Sequence, residues 1–232
     1  MRTVYERRPD IDSLPSRKRE TFPDLAQEEE FWTLFEQSRR YSMVHVTGFF
    51  NVYSALKYVL GNDVRGDFVE CGVWMGGVSI FAGLFLAKRH ATERTVHLYD
   101  TFEGFPKGSS DVVLGKKVAG PTYANFRQGV EQNLRDEGVS AYRIIEGPIE
   151  ETLLSDPTPP EAISVLRLDT DFYSSTRAEL DHLYPRLSVG GVLIVDDYGY
   201  YEGSRRACDE YFGDRMLWNR IDRGIRCGVR LS

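Results

Sequence analysis

The chain has 232 residues, of which 41% are hydrophobic and 28% charged, and its formal net charge at pH 7 is −6. This size and composition predict one large α/β domain with a well-buried core, occupying residues 1–232. The acidic balance argues against a nucleic-acid partner or an anionic membrane surface, because phosphate-bearing partners require a basic face.

The first ten residues are charged where a signal peptide needs an apolar run, and the longest apolar stretch, 80–87, is too short to span a bilayer. Three cysteines at wide spacing provide neither a disulfide framework nor a CxxC metal motif. We therefore expect a cytoplasmic protein without membrane contact.

Two segments have no sustained hydrophobic period. Residues 1–23 are polar and rich in Arg and Pro, which predicts an extended or partly disordered arm. Residues 107–121 form a long Gly-, Lys- and Val-rich connection of the kind that often becomes a mobile lid. Both segments are candidates to cover a site.

Residues 24–61 are predicted to form two N-terminal helices. Asp24 and Gln27 give a capping box for the first helix, which is expected to end near Arg40. The second helix carries an apolar face from 47 onward and is expected to stop at Gly61.

A glycine-rich turn follows the first predicted strand, in the segment GDFVECGVWMGG at 66–77. Glu70 lies near the end of the strand, and Gly72 with the two closing glycines allows a tight turn into an apolar helix. The dinucleotide fingerprint GxGxxG is absent, because Val73 stands at the next close-approach position. The pattern acid-x-Gly-x-x-x-Gly favours a cofactor without a diphosphate, although a lone glycine-rich turn is weak evidence.

The next strand is predicted over 95–99 and ends in Asp100, where an acid can accept hydrogen bonds from both hydroxyls of a ribose. The alternative is an aspartate that only caps a turn. A helix over 123–137 and a strand over 142–145 follow. The loop EGPIEETL, which begins at Glu146, is then placed to flank an adenine.

Two buried strands in the second half of the chain each end in a pair of aspartates. The strands and acids are 165–168 with Asp169 and Asp171, and 192–195 with Asp196 and Asp197. The helical pattern over 174–187 makes the whole a strand, crossover helix, strand unit, so both strands end on the ligand-binding side of the sheet.

Four carboxylates at one rim repel one another unless a cation or a proton is shared among them. Their all-oxygen donor set favours a hard ion such as Mg²⁺ or Mn²⁺ over Zn²⁺. The alternative for any single residue is a helix cap or a turn aspartate. Beyond Gly203 a helix is predicted, and then two short strands that turn near Arg223 and Gly224.

Four motifs, GDFVECGVWMGG, LYDTFEGFP, LRLDTDFYSST and GGVLIVDDYGYYEGSRRACDEY, resemble those of the macrocin O-methyltransferase family in sequence and order, across roughly 41–212. This resemblance implies a Rossmann-like class I methyltransferase fold, with a mostly parallel sheet, an antiparallel last strand and helices on both faces. It also implies S-adenosylmethionine and Mg²⁺ (or Mn²⁺) as cofactors, a small-molecule glycoside as substrate and a homo-oligomeric protein.

Carried over residue by residue, the resemblance makes Asp171 the general base. The implied metal ligands are Asp169, Asp196 and Asp197. The implied cofactor-binding residues are Glu70, Gly72, Val73, Asp100, Thr101, Gly147 and Asp169. The expected reaction moves a methyl group from S-adenosylmethionine to a sugar hydroxyl of a glycosylated natural product.

Three other functions compete with this interpretation. A catechol-type phenol methyltransferase shares cofactor, metal and fold, but such enzymes use a lysine near the first metal ligand, and the run from Asp169 to Phe172 has none. A nicotinamide-dependent reductase would need GxGxxG. A binding module without catalysis stays open. The four histidines are interpreted as structural, and His45, just before the second helix, is the one to test as an alternative base.

Overall fold

The computed structural model describes residues 22–104, 110–113, 116–119 and 127–232. These residues form a seven-stranded sheet, a separate two-stranded hairpin and seven α-helices. The strands are β1 (Asp67–Cys71), β2 (Val96–Asp100), β3 (Ser110–Val113), β4 (Lys116–Ala119), β5 (Tyr142–Glu146), β6 (Ile163–Leu168), β7 (Leu187–Val195), β8 (Asn219–Arg220) and β9 (Arg226–Val229). The helices are α1 (Glu29–Ser38), α2 (Val46–Gly61), α3 (Gly77–Lys88), α4 (Arg127–Asp136), α5 (Ile149–Ser155), α6 (Tyr173–His182) and α7 (Glu202–Phe212).

The order of strands in the large sheet is β5-β2-β1-β6-β7-β9-β8. The first five are parallel, while β9 pairs antiparallel with both β7 and β8. The chain therefore moves outward from β1 to β2 and β5 on one side, then returns to β6 and β7 on the other. The predicted fold class is confirmed, and the point where the strand order reverses lies between β1 and β6.

Alternate strand residues enter two hydrophobic cores, one on each face of the sheet. Phe68 and Val165 pack into a core that includes α1 to α4, while Val69 and Leu166 pack against α5, α6 and α7. Helices therefore cover both faces, as predicted. Because the central strands are buried on both sides, they are almost continuously apolar, which is the usual pattern of a parallel sheet.

The first helix is shorter than predicted. Asp24 lies in a turn, the helix begins at Glu29, and the residue at its N-cap, Glu28, makes no side-chain capping hydrogen bond. The predicted capping box is therefore wrong. The second helix runs through Gly61 rather than ending before it.

The helix predicted over 174–187 ends at His182 instead. A short 3-10 helix, Tyr184–Arg186, follows, and Pro185 within it cannot donate the backbone hydrogen bond that an α-helix needs. Strand β7 then starts at Leu187, five residues before the apolar run that predicted it, because this residue pairs with Ile163 of β6.

Parts of the predicted arm, lid and fourth helix lie outside the described residues. These parts are 1–21 of the arm, 107–109, 114–115 and 120–121 of the lid, and 123–126 of the helix. Within the lid, β3 and β4 pair as an antiparallel hairpin, and β3 lies beside α7. The two predicted C-terminal strands are present as β8 and β9. Among the described helices, none combines the length and apolarity needed to cross a membrane.

Candidate active site

The carboxyl ends of β1, β6 and β7 meet at one edge of the sheet, next to the point where the strand order reverses. Backbone hydrogen bonds continue past the strands: the amide of Asp169 donates to Cys71 O at 2.8 Å, and that of Asp196 donates to Leu168 O at 2.9 Å. The first residue after each strand is therefore held in register. This is the crevice in which open α/β sheets bind ligands.

Three of the predicted acids form a compact cluster there. Asp169, Asp196 and Asp197 each bring a carboxylate oxygen within 4.8 Å of the others. Asp197 is 8% exposed, and its Oδ2 is buried without a hydrogen-bond partner among the described residues. A buried oxygen without a partner is unfavourable unless a ligand supplies one. An all-oxygen donor set with such an atom fits a hard divalent cation.

Asp171 lies beside this cluster. Strand β6 ends at Leu168, and Asp171 adopts a left-handed backbone conformation with φ 68°. In this conformation its carboxyl group is close enough to that of Asp197 to raise the pKa of Asp197. A non-glycine residue with positive φ is strained, and such strain is common at functional sites.

At the centre of the cluster lies an arginine that the sequence analysis missed. Arg167 of β6 is 1% exposed, and its Nη1 donates to Glu70 Oε1 and to Asp169 Oδ2, both at 2.8 Å. Its Nη2 donates to Asp196 Oδ1 at 2.6 Å. The available signal was a charged residue inside a strand predicted to be buried, since buried arginines require partners.

Burial dominates the electrostatics of the acids around Arg167. It raises the pKa of Glu70 to about 7, although Arg167 and a hydrogen bond from Ser79 act in the opposite direction. Burial likewise raises the pKa of Asp196, and that of Asp197 rises well above its ordinary value through burial and the neighbouring Asp171. Bound protons can therefore offset part of the repulsion among these carboxyl groups.

A second buried acid supports the loop that carries Asp171. Glu179 of α6 is fully buried and accepts a hydrogen bond from Thr170 Oγ1 at 2.9 Å. Burial raises the pKa of Glu179 well above its ordinary value. The sequence analysis missed this contact, because nothing in the helical pattern distinguishes Glu179 from a solvent-facing residue.

The glycine-rich turn lies at the same edge, after β1. A Cβ atom on Gly72 would come within 2.0 Å of Asp169 O, so glycine is needed here for packing against the first predicted metal ligand. Trp74 has a positive φ of 49°. The backbone amides of Val73 and Trp74 donate to Asp100 Oδ2 at 2.7 and 3.1 Å, so this acid organises the turn.

The remaining predicted cofactor residues lie beside Asp100. The amide of Gly147 donates to Asp100 O at 3.0 Å, and the amide of Phe102 donates to Asp100 Oδ1 at 2.8 Å. Thr101 Oγ1 donates to Gly104 O at 2.9 Å and closes a turn. The predicted residues thus form two neighbouring groups, one around Arg167 and one around Asp100.

A small pocket of about 50 Å³ opens between the glycine turn and the segment before α2. Its lining residues are Ser42, Met43, Val44, Glu70, Val73, Trp74, Val78, Arg167 and Asp169. Ser42 and Met43, which precede α2, therefore form one wall of this pocket. Apolar walls with a few converging charged groups are typical of small-molecule sites, and the acids at one wall suit a cationic ligand.

Two of the histidines, His97 and His182, lie away from the carboxylate cluster, in a strand and in a helix as predicted. Nε2 of His97 is 2.9 Å from Asp67 Oδ2 within the sheet, and His182 is the last residue of α6. His45 occupies the N-cap of α2 without a side-chain capping bond.

A seven-stranded sheet that is parallel except at one edge, with helices on both faces, is the architecture of the class I methyltransferases, and this chain is one of them. The sequence model of the family described as Macrocin-O-methyltransferase (TylF) matches residues 19–226. The chain therefore belongs to the macrocin O-methyltransferase family and is an S-adenosylmethionine-dependent O-methyltransferase.

Similar proteins support this assignment. Demethyldecarbamoylnovobiocin O-methyltransferase of Streptomyces niveus is 33% identical over 217 residues, which cover 90% of this chain and 80% of the relative. The 8-demethyl-8-(2,3-dimethoxy-alpha-L-rhamnosyl)-tetracenomycin-C 4'-O-methyltransferase of Streptomyces olivaceus is 32% identical over 217 residues, covering 90% of this chain and 76% of the relative. The solved structure of the O-methyltransferase NovP superposes with a TM-score of 0.74 at 28% identity, covering 93% of this chain and all of NovP.

Proposed function

We propose that this enzyme transfers a methyl group from S-adenosylmethionine to a sugar hydroxyl of a glycosylated natural product. In this proposal Asp169, Asp196 and Asp197 hold Mg²⁺ (or Mn²⁺), and Asp171 is the general base. The observation that carries it is the cluster of three carboxylates within 4.8 Å, with Asp171 close enough to raise the pKa of Asp197 and a pocket alongside.

The donor oxygens available to an ion support this assignment. Arg167 uses one oxygen of Asp169 and one of Asp196, namely Oδ2 and Oδ1 respectively, so the second oxygen of each remains for a ligand. Asp197 Oδ2, buried and without a partner among the described residues, supplies a third. Mg²⁺ is commonly held by a few carboxylates together with water and substrate oxygens, which fits three ligands at the edge of a crevice.

The chemistry required explains these groups. A sugar hydroxyl is a poor nucleophile near neutral pH, and a bound divalent ion would supply the Lewis acidity that lowers its pKa. Asp171 would accept the proton as the hydroxyl oxygen attacks the methyl carbon and the bond from that carbon to sulfur breaks. The turn after β1 and Asp100 would bind the nucleoside, and the pocket beside Glu70 would orient the cationic end of the methyl donor.

The substrate class rests on the similar enzymes. The name of one relative gives a rhamnosyl-bearing tetracenomycin as its substrate, methylated at a 4' position. The name of another gives a novobiocin derivative. A glycosylated natural product is therefore the acceptor to test first. The absence of lysine between Asp169 and Phe172 further favours an alcohol over a phenol, because a carboxylate replaces the lysine base of the phenol enzymes.

The test is a methyl-transfer assay with the purified protein, S-adenosylmethionine and two acceptor panels, glycosides and catechols, each with Mg²⁺ or with EDTA. We expect transfer to a glycoside that EDTA abolishes and Mg²⁺ restores. Asp197→Ala should lose the metal-dependent activity. Asp181→Ala is the matched control, because Asp181 is a half-exposed acid on α6 that pairs with Arg177 at the surface.

The outcomes separate the parts of the proposal. Transfer to catechols alone would replace the sugar acceptor by a phenol. Transfer that continues in EDTA, after dialysis to remove bound ions, would exclude a required metal. If no acceptor in either panel is methylated while S-adenosylhomocysteine binds, the acceptor class is wrong and the cofactor assignment stands.

A further inference from the structure

Arg167 is the largest of the fully buried side chains, and it lies in the middle of the sheet. Its cross-strand neighbours are Glu70 on β1 and Ile194 on β7. An arginine at such a position is costly, because its charge loses water and must be compensated by partners with good geometry. A fold that only needed a filled core would be served by an apolar residue here.

The partners of Arg167 come from three strands and from both halves of the site. Glu70 lies in β1 and lines the pocket, while Asp169 and Asp196 follow β6 and β7 and belong to the carboxylate cluster. All three contacts are between 2.6 and 2.8 Å. One planar guanidinium therefore fixes the relative positions of three carboxylates that would otherwise repel one another.

We propose that Arg167 is a permanent internal counter-ion, a positioning residue that holds Glu70, Asp169 and Asp196 in their working arrangement before a metal ion and the methyl donor bind. This inference rests on the proposed metal site. Its consequence is that the ion is not needed to fold the protein, because the arginine already compensates two of its three ligands.

The balance of charges around Arg167 leads to a measurable prediction. Arg167 is the one cation within 4.0 Å of Glu70, Asp169 or Asp196 among the described residues. If it is removed, three acids are left at the edge of the sheet without their counter-ion, and a divalent ion bound by two of them becomes their main compensation. The arginine and the ion should then replace each other in part, so that an ion stabilises a variant without Arg167 more than it stabilises the wild type.

The matched control is Arg94, which is also largely buried and also joins strand ends of the same sheet. Its guanidinium donates to the neutral acceptors Gly66 O and Val64 O at 3.0 and 2.8 Å, and to a serine hydroxyl. Its one acidic partner among the described residues is Glu93, which is 70% exposed and 3.4 Å from Arg94 Nε. Arg94→Met should therefore destabilise the fold through lost hydrogen bonds without making stability depend on a metal ion.

The experiment measures thermal unfolding at pH 8 of wild type, Arg167→Met and Arg94→Met, each in EDTA and in saturating Mn²⁺, with Mn²⁺ binding followed by electron paramagnetic resonance. In EDTA we expect the Tm of Arg167→Met to fall by at least about 8 °C, since breaking a buried ion pair is strongly destabilising. Mn²⁺ should recover at least half of this loss. In wild type and in Arg94→Met, the shift caused by Mn²⁺ should be smaller.

Two further variants keep the test decisive if Arg167→Met does not fold. Arg167→Lys keeps the positive charge but loses the planar guanidinium with its several donors. Its Tm in EDTA should therefore fall less than that of Arg167→Met, and it should depend less on Mn²⁺. Adding Glu70→Gln to Arg167→Met removes one uncompensated acid and should raise the Tm above that of the single variant. An equal Mn²⁺ shift in wild type and all arginine variants would overturn the proposal, as would a Tm of Arg167→Met in EDTA within about 2 °C of wild type.

The same data distinguish this proposal from the proposed function. If wild type binds no Mn²⁺, the metal assignment fails, while the loss in EDTA and its relief by Glu70→Gln still decide the role of Arg167. If wild type binds Mn²⁺ and Arg167→Met loses the ion as completely as Asp169→Asn does, Arg167 is a scaffold that the ion cannot replace, and the counter-ion role is refuted.

Discussion

Replacing Asp171 by Asn separates the proposed base from the proposed metal ligands. The two side chains have the same shape, and the amide keeps a polar group beside Asp197, so we expect the fold to be retained. What is lost is basicity. General-base catalysis contributes about two to four powers of ten in rate, which is about 3 to 5 kcal/mol of activation free energy. We expect this loss in kcat with the methyl donor and Mg²⁺ bound.

Metal affinity shows whether the roles are correct. Asp171→Asn should keep its Mn²⁺ Kd within about tenfold of wild type, because the change affects a neighbour of the ion site and not a ligand. Asp169→Asn should weaken binding by about a hundredfold or more, since it removes an ionised ligand oxygen. Asp181→Asn serves as the control for the loss of one negative charge elsewhere on the surface.

The measurements are calorimetric titration of Mn²⁺ and S-adenosylhomocysteine, followed by single-turnover rates at saturating ligands. If Asp171→Asn loses the ion as severely as Asp169→Asn, Asp171 is a ligand and the proposed base is wrong. If it keeps the full rate, the proton acceptor lies elsewhere. A loss in His45→Ala equal to that in Asp171→Asn would identify the histidine at the start of α2 as that acceptor.

Two other predictions follow from the geometry. Gly72 and Gly138 have almost the same backbone φ, +81° and +79°, but a Cβ would meet Asp169 O at 2.0 Å at the first position and nothing within 4 Å at the second. Both alanine variants should lose about 1 to 2 kcal/mol of stability from the backbone conformation. Only Gly72→Ala should also lose Mn²⁺ affinity. Equal Mn²⁺ affinities of the two variants in a titration would contradict this. Burial raises the pKa of Glu70 from its ordinary 4.5 to about 7 in the folded protein. Because the folded protein binds this proton more tightly than the unfolded chain, the resulting contribution to stability is complete below pH 4.5 and is lost as the pH rises to about 7. In denaturant titrations without metal, Glu70→Gln should remove that decline between pH 5 and 8, and an unchanged pH profile would show that Glu70 does not titrate there.

Hydrophobic patterning was enough to predict the sheet and the edge that carries the site. The strands ending at Leu168 and Val195 carry apolar runs because they are buried on both faces, and such runs differ from helices in length and flanking residues. Crossover helices then force parallel strands to end on the same side. An acid that directly follows such a strand could therefore be predicted to lie in the crevice.

Helix and strand ends were less predictable, because they depend on contacts between segments distant in sequence. Asp24 and Gln27 have the residue types of a capping box, but the chain packs as a turn there and the helix starts later. The start of β7 at Leu187 is fixed by its pairing with Ile163, which no local pattern contains. Tertiary contacts override local propensity at these ends.

Arg167 was missed for a related reason. A single arginine inside an apolar strand does not reveal from the sequence which groups it contacts. Its partners Glu70 and Asp196 lie 97 and 29 residues away in the sequence. Only the parallel pairing of β1, β6 and β7 makes them neighbours, so the sequence predicted a shared cation or proton among the acids but not the arginine between them.

The contact between Gly72 and Asp169 couples the position of the glycine-rich turn to that of the carboxylate cluster. The turn that lines the pocket begins at Gly72, whose amide donates to Tyr99 O at 2.9 Å, while its Cα packs against the carbonyl of the first proposed metal ligand. Arg167 joins the same two parts of the site through side chains. A displacement of the turn must therefore move Asp169 through backbone packing and through the guanidinium together. This is why a single methyl group added at Gly72, far from any proposed acceptor contact, is expected to change metal affinity.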